Sequence, residues 1–184
     1  MSGPLHTLKH EHRVIERALR ALQGVCIRLV WGDQVQADVL ERLLEFISGY
    51  VDGFHHLKEE THLFSALQRE GIAREGGVLG LIEQEHERER VLSEEMRAAI
   101  YDYKQIDPGA RQHFVEAAAR YSDLLLSHIE HEDSMLFRIA EELLENETKQ
   151  ALNEVFERCA AEFGADCIEA YEKMAGELED SWAI

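Results

Sequence analysis

His55 and His56 stand four residues before Glu59 and Glu60, and His128 stands four before Glu132. On a helix, residues four apart share a face, so each pair offers an imidazole nitrogen and a carboxylate to one point. Acids are 37 of 184 residues, so one acid at that spacing is expected about one time in five and carries little weight alone. The apolar context is more telling. Leu5, Leu8, Ile15, Leu19 and Leu22 keep a three-and-four rhythm whose gap is filled by His12. Leu40, Leu44, Ile47 and Val51 lead to His55 and Glu59. Leu79, Ile82, Met96 and Ile100 are interrupted by His86, Glu89 and Ser93. Ala118, Tyr121, Leu125, Met135 and Ile139 are interrupted by His128 and Glu132. Four apolar stripes each carry a histidine, and no inward Lys or Arg is evident to neutralise the acids. Each buried polar group left without a partner costs about 1 to 3 kcal/mol, so something must compensate. Imidazole nitrogen and carboxylate oxygen without thiolate suit iron or manganese, with zinc chemically possible. Six donors exceed what one open metal site needs, and they suit two ions ~3 to 4 Å apart with shared carboxylates.

The elements that must position these residues are helices. There are two prolines, Pro4 and Pro108, and long stretches of Ala, Leu, Glu and Arg at a period near 3.6, with no alternating strand pattern. A helix is expected from Pro4 to about Trp31, a second from about Gln34 to Glu70, a third from about Val78 to Gln105 and a fourth from about Ala110 to Glu145. The glycine-rich "EGIAREGGVLG" and the turn at Asp107, Pro108 and Gly109 separate them. After the break "ENETKQ", Ala151, Leu152, Val155, Phe156, Cys159 and Phe163 form another stripe, and Gly164 precedes a last segment ending near Trp182. The expected fold is all-α, an antiparallel up-and-down four-helix bundle over residues 1–147 with a C-terminal helical extension, 148–184, packed on it. At ~1.5 Å per residue, the six donors fall within a few turns of one end of such a bundle.

Composition limits the partners. A formal charge of -18 opposes binding to nucleic acid or to an anionic membrane surface. No apolar run reaches the roughly 20 residues of a membrane span, and the N-terminus lacks a signal-peptide core, so a cytoplasmic protein is expected. Cys26, Cys159 and Cys167 are odd in number and lie in helical apolar patterns, which reads as buried free thiols.

One histidine in the first helix, "HHLKEETHLF" in the second, "EQEHERER" in the third and "SHIEHEDSMLF" in the fourth resemble the hemerythrin-like, or HHE cation-binding, family. The likeness spans about residues 5 to 145, and the tail is similar to the C-terminal extension of many bacterial members. The resemblance implies an oxo- or hydroxo-bridged pair of iron ions held by His12, by His55 with Glu59, by His86, and by His128 with Glu132. Oxygen-carrying members use five histidines, with HxxxH on the third helix and HxxxxD on the fourth. Here Arg90 stands four after His86, and Asp133 stands five after His128, where it could replace Glu132. Fewer histidines and an added carboxylate favour oxidised iron, which points away from a pure oxygen carrier.

Several positions stay open. His56 with Glu60 has the same spacing as His55 with Glu59; stripe geometry favours the latter, leaving the former to orient a ligand or meet solvent. Glu89 and Glu83 are weaker ligand candidates, Tyr121 is read as core, His62 as a rim residue, and His6, His10, His113 and His131 as solvated. The expected function is a di-iron protein that binds, senses or turns over dioxygen, peroxide or nitric oxide, with peroxidase- or catalase-like turnover one form of it. The rival is a non-enzymatic iron- or oxygen-responsive module that signals through a protein partner. A metal-free bundle would require the inward polar groups to pair among themselves.

Overall fold

The computed structural model describes residues 3–184, which are helical almost throughout, with no strand among them. Pro4 opens the first helix, Pro4–Trp31, where a missing N–H is harmless. Gly32 closes it in the left-handed conformation (φ 91°), its N–H meeting the carbonyls of Arg28 and Leu29. The second helical stretch changes its winding along its length. Ala37–Phe46 is α-helical, Ile47–His56 and Glu59–Leu63 are π-helical, and Phe64–Arg69 is α-helical again. The third helix is Gly77–Lys104. The fourth begins as Ala110–His131, passes through the π turn Glu132–Leu136 and ends as Phe137–Leu143. Two further helices, Asn146–Phe163 and Ala165–Trp182, complete the chain. Most of "ENETKQ" is therefore helix, and the joint is the extended pair Leu144 and Glu145.

Cross-helix contacts between the second and third stretches run in opposite order along the chain. Lys104 donates to Glu41 at 2.6 Å, Arg97 to Ser48 at 2.9 Å and Arg90 to Asp52 at 2.7 Å, and His86 lies 2.7 Å from Glu60. The π segments change which residues face inward. A π turn holds more residues than the 3.6 of an α turn, so everything beyond it is rotated relative to a uniform helix. Leu57 is exposed and Lys58 is buried, as the spacing from Val51 already places them. On the fourth helix, Leu136 and Ala140 occupy the core; Met135 is exposed and Ile139 only partly buried, contrary to the uniform stripe expected from sequence.

The apolar interior is divided in two. A larger cluster includes Ile15, Leu22, Leu40, Phe46, Met96, Phe114 and Tyr121. A smaller one includes Leu5, Leu8, Leu63, Phe64, Ile82, Phe137 and Phe156. Along the first helix, His12 stands between Leu8 of the smaller cluster and Ile15 of the larger, so a polar layer separates the two.

The last helix packs along the first. Arg17 and Arg20 donate to Glu179 at 2.6 and 2.7 Å, and the Arg28 guanidinium lies 5.2 Å from the Trp182 ring centroid. Gly24 lets the two backbones touch, because a Cβ there would overlap the carbonyl of Trp182. Cys26 is buried, and burial pushes its thiol up to about 12; Cys159 and Cys167, expected to be buried, are only partly covered because they lie on these outer helices. All three are free. Gly24→Ala should overpack this seam and destabilise the protein by about 1 to 3 kcal/mol, measured by urea unfolding, with earlier proteolysis of the last helix.

Candidate metal centre

The six residues singled out by the stripes meet. His12, His86, His128, Glu59 and Glu132 have no solvent exposure, and His55 has 1%. One donor atom from each of His12, His55, Glu59 and Glu132 lies within 4.8 Å of the others, and the same holds for Glu59, His86, His128 and Glu132. Glu59 and Glu132 belong to both groups and form the middle of the cluster. Glu132 Oε2 is 3.0 Å from His12 Nε2 and 3.3 Å from His128 Nε2. Glu59 Oε2 is 3.6 Å from His55 Nε2 and 3.8 Å from His86 Nε2.

Behind each of the four helix histidines stands a carboxylate on the other ring nitrogen. Asp133 Oδ1 is 3.0 Å from His12 Nδ1, and Glu11 Oε2 is 2.8 Å from His55 Nδ1. Glu60 Oε1 is 2.7 Å from His86 Nδ1, and Glu85 Oε2 is 3.2 Å from His128 Nδ1. Such a carboxylate accepts a hydrogen bond from Nδ1–H, fixes the tautomer and leaves the Nε2 lone pair free to coordinate. The carboxylates are themselves held. Arg90 bridges Asp52 and Glu60, Arg13 donates to Asp133 at 2.6 Å, and buried Lys58 donates to Glu11. The Lys58 ammonium lies 3.8 Å from the Phe54 ring centroid and 5.4 Å from that of Phe156.

The charges respond accordingly. Burial would raise the Glu60 carboxyl, but hydrogen bonds from His86 and Arg90 bring it down to about 2. Burial pulls His55 down to about 4 against the opposing pull of Glu11. Burial and the facing Glu132 push Glu59 well above the usual carboxylate range, whereas His128 and His12 overcome burial and hold Glu132 well below it.

Several residues play parts that the sequence reading did not give them. Asp133 does not replace Glu132; it sits outside, against His12 Nδ1 and Arg13. Glu83 pairs with Arg74 on the surface, away from the cluster. His131 is partly buried, not solvated, with Nδ1 2.8 Å from Glu85. His62 is a rim residue, 3.4 Å from Cys159 Sγ, and Tyr121 belongs to the core. His6, His10 and His113 are exposed. Glu11, Glu85 and Lys58 were missed. The acids immediately before the inward histidines, in "HEH" and "EQEH", are the available signal for the first two; for Lys58 the signal is its place seven residues after Val51 and fourteen after Leu44, on the apolar stripe itself.

The cluster fits cations better than it fits itself. His55 Nε2, His86 Nε2, His128 Nε2, both Glu59 oxygens and Glu132 Oε1 are buried and lack any hydrogen-bond partner. These atoms converge on the same small space, and their donor type suits iron, manganese or zinc. An all-helical fold with histidines and glutamates converging from four helices defines a cation-binding helical protein. The hemerythrin HHE cation binding domain matches residues 3–140, and the chain belongs to that family. Uncharacterized proteins of Mycobacterium tuberculosis and Mycobacterium bovis are 25% identical over 150 residues, which is 82% of this chain. The aligned region is 58% of the length of these curated relatives. No solved structure matches. Among the described residues, no helix is long and apolar enough to cross a membrane.

Glu60→Ala should leave His86 Nε2 in place but remove the acceptor behind it. Cation affinity should then fall about 10- to 100-fold, measured by competition with a coloured chelator.

Proposed function

We propose that the cluster holds two iron ions, oxo- or hydroxo-bridged, and that the protein binds, senses or turns over dioxygen, peroxide or nitric oxide. His12, His55, Glu59, His86, His128 and Glu132 would hold the ions, and Glu59 and Glu132 belong to both groups of converging donors. The observation that carries this reading is the division of each imidazole. Nδ1 is engaged by a carboxylate in all four helix histidines, while Nε2 points at the shared glutamates. The family match supports cation binding over the same residues. We read the four long helices as an antiparallel up-and-down bundle over residues 1–147, with residues 148–184 as its extension, in a cytoplasmic protein without nucleic-acid or membrane partners.

When bound, a ferrous pair supplies electrons to a small oxygen or nitrogen oxide ligand. The chain supplies the rest. Glu11, Glu60, Glu85 and Asp133 hold protons at Nδ1 and keep the imidazoles aimed. The apolar clusters on either side exclude bulk water. Glu59 and Glu132 balance cation charge in a site where an unpaired carboxylate would be destabilising.

Metal analysis of iron-loaded protein should give two irons per chain, with an oxo-to-iron charge-transfer band in the near ultraviolet. His86→Leu should lose one or both. Tight binding of a single zinc, or a gain in stability in His86→Leu with no metal bound by the wild type, would refute the reading.

One observation favours the non-enzymatic alternative. Phe156 of the C-terminal helices covers Lys58, which holds Glu11, which holds His55. Iron occupancy is thus linked by contact to a surface element that a protein partner could read. If this link signals, iron at 100 times the Kd of each site should stabilise the protein by about 2.7 kcal/mol per ion while added peroxide is left intact. Rapid peroxide decay would instead assign turnover.

A further inference from the structure

His56 is the one buried histidine of the cluster that none of these assignments uses. It is 1% exposed, and neither ring nitrogen has a hydrogen-bond partner. Its ring is stacked on His86, with centroids 3.9 Å apart, and lies edge-on to His128 at 5.3 Å. Donor atoms of His56, His86 and His128 lie within 4.8 Å of one another. We infer that His56 is a seventh ligand, the third imidazole on the ion held by His86 and His128. This rests on the two-iron reading above.

The winding of the second helix makes this possible. Adjacent residues of an α-helix are turned about 100° apart, so two neighbouring histidines do not both face one small centre. His55 and His56 end the π segment Ile47–His56, and both are buried. His55 turns to Glu11 on the first helix, whereas His56 turns to His86 on the third. Each joins a different group of donors. The third helix carries Arg90 where a second histidine would stand, and Arg90 is spent on Asp52 and Glu60. The second helix supplies the missing imidazole from the facing side.

The competing partner is Glu89, whose Oε2 is 3.5 Å from His56 Nε2. Both Glu89 oxygens are also without hydrogen bonds, so the two side chains do not satisfy each other. Asp52 lies 3.8 Å from His56 Nδ1. With His56 counted, the ions are unequal: three imidazoles serve one and two serve the other. The total then matches the five-histidine pattern, and the missing third-helix histidine no longer speaks against reversible oxygen carriage.

The test compares wild type, His56→Leu, His56→Gly and Glu89→Gln, each iron-loaded under reductant, for iron per chain, release to a chelator and the Mössbauer spectrum. Wild type should hold two irons in unlike sites. His56→Leu should keep one and release the second at least about tenfold more readily, and imidazole added to His56→Gly should restore the second. Glu89→Gln should keep both. Two irons in His56→Leu with wild-type release and spectrum would overturn the inference while leaving the two-iron reading intact. Loss of the second iron in Glu89→Gln but not in His56→Leu would assign the donor to the carboxylate and also overturn it. A wild type without two irons would instead remove the reading beneath it. If His56→Leu fails to fold, the glycine variant with and without imidazole decides the question.

Discussion

An imidazole ring has two nitrogens about equally able to bind a proton, and a buried histidine must place both. In this protein the two edges are separated in space. A ring of acids takes the outer edges, at His12, His55, His86 and His128, while the inner edges converge on Glu59 and Glu132. That arrangement is unfavourable without cations, because apart from the contact between His12 and Glu132 the inner atoms have no hydrogen-bond partner. It also explains the outermost charges: Arg13, Lys58 and Arg90 are there because the acids behind the histidines would otherwise be burdened with partly buried, unneutralised charge.

The π turns are the backbone's answer to the same demand. Two lie in the second helix around His55, His56, Glu59 and Glu60, and one in the fourth begins at Glu132. The less favourable winding is confined to the segments that carry these polar groups or lead directly into them, with ordinary α-helix before and after. Adjacent side chains, such as Glu59 and Glu60, can then serve opposite sides of a single histidine: Glu59 approaches His86 Nε2 and Glu60 its Nδ1.

The helical nature of the chain and the meeting of His12, His55, Glu59, His86, His128 and Glu132 were legible in the sequence, because apolar periodicity reports which face is inward and survives small errors of register. What the periodicity could not report was a change of register within a helix. The uniform stripe turns Met135 inward, whereas after the π turn Leu136 occupies the core and Met135 is exposed. The acids behind the histidines were hidden for a different reason: Glu11 and Glu85 are placed by contacts between helices, which no single stripe encodes. Among 37 acids, a place directly before an inward histidine is only a weak signal.

The ion pairs of this protein lie in two layers that differ in their access to water. Lys58 and Glu11 are 2% and 5% exposed at their side chains and are roofed by aromatic rings, whereas Arg17 and Arg20 meet Glu179 with 39% and 49% of the arginines open to solvent. Mobile counter-ions reach only the second layer. Rising ionic strength therefore loosens the clasp of the C-terminal helix before it touches the brace behind His55, and the protein's periphery is tuned to its salt environment while its centre is insulated from it.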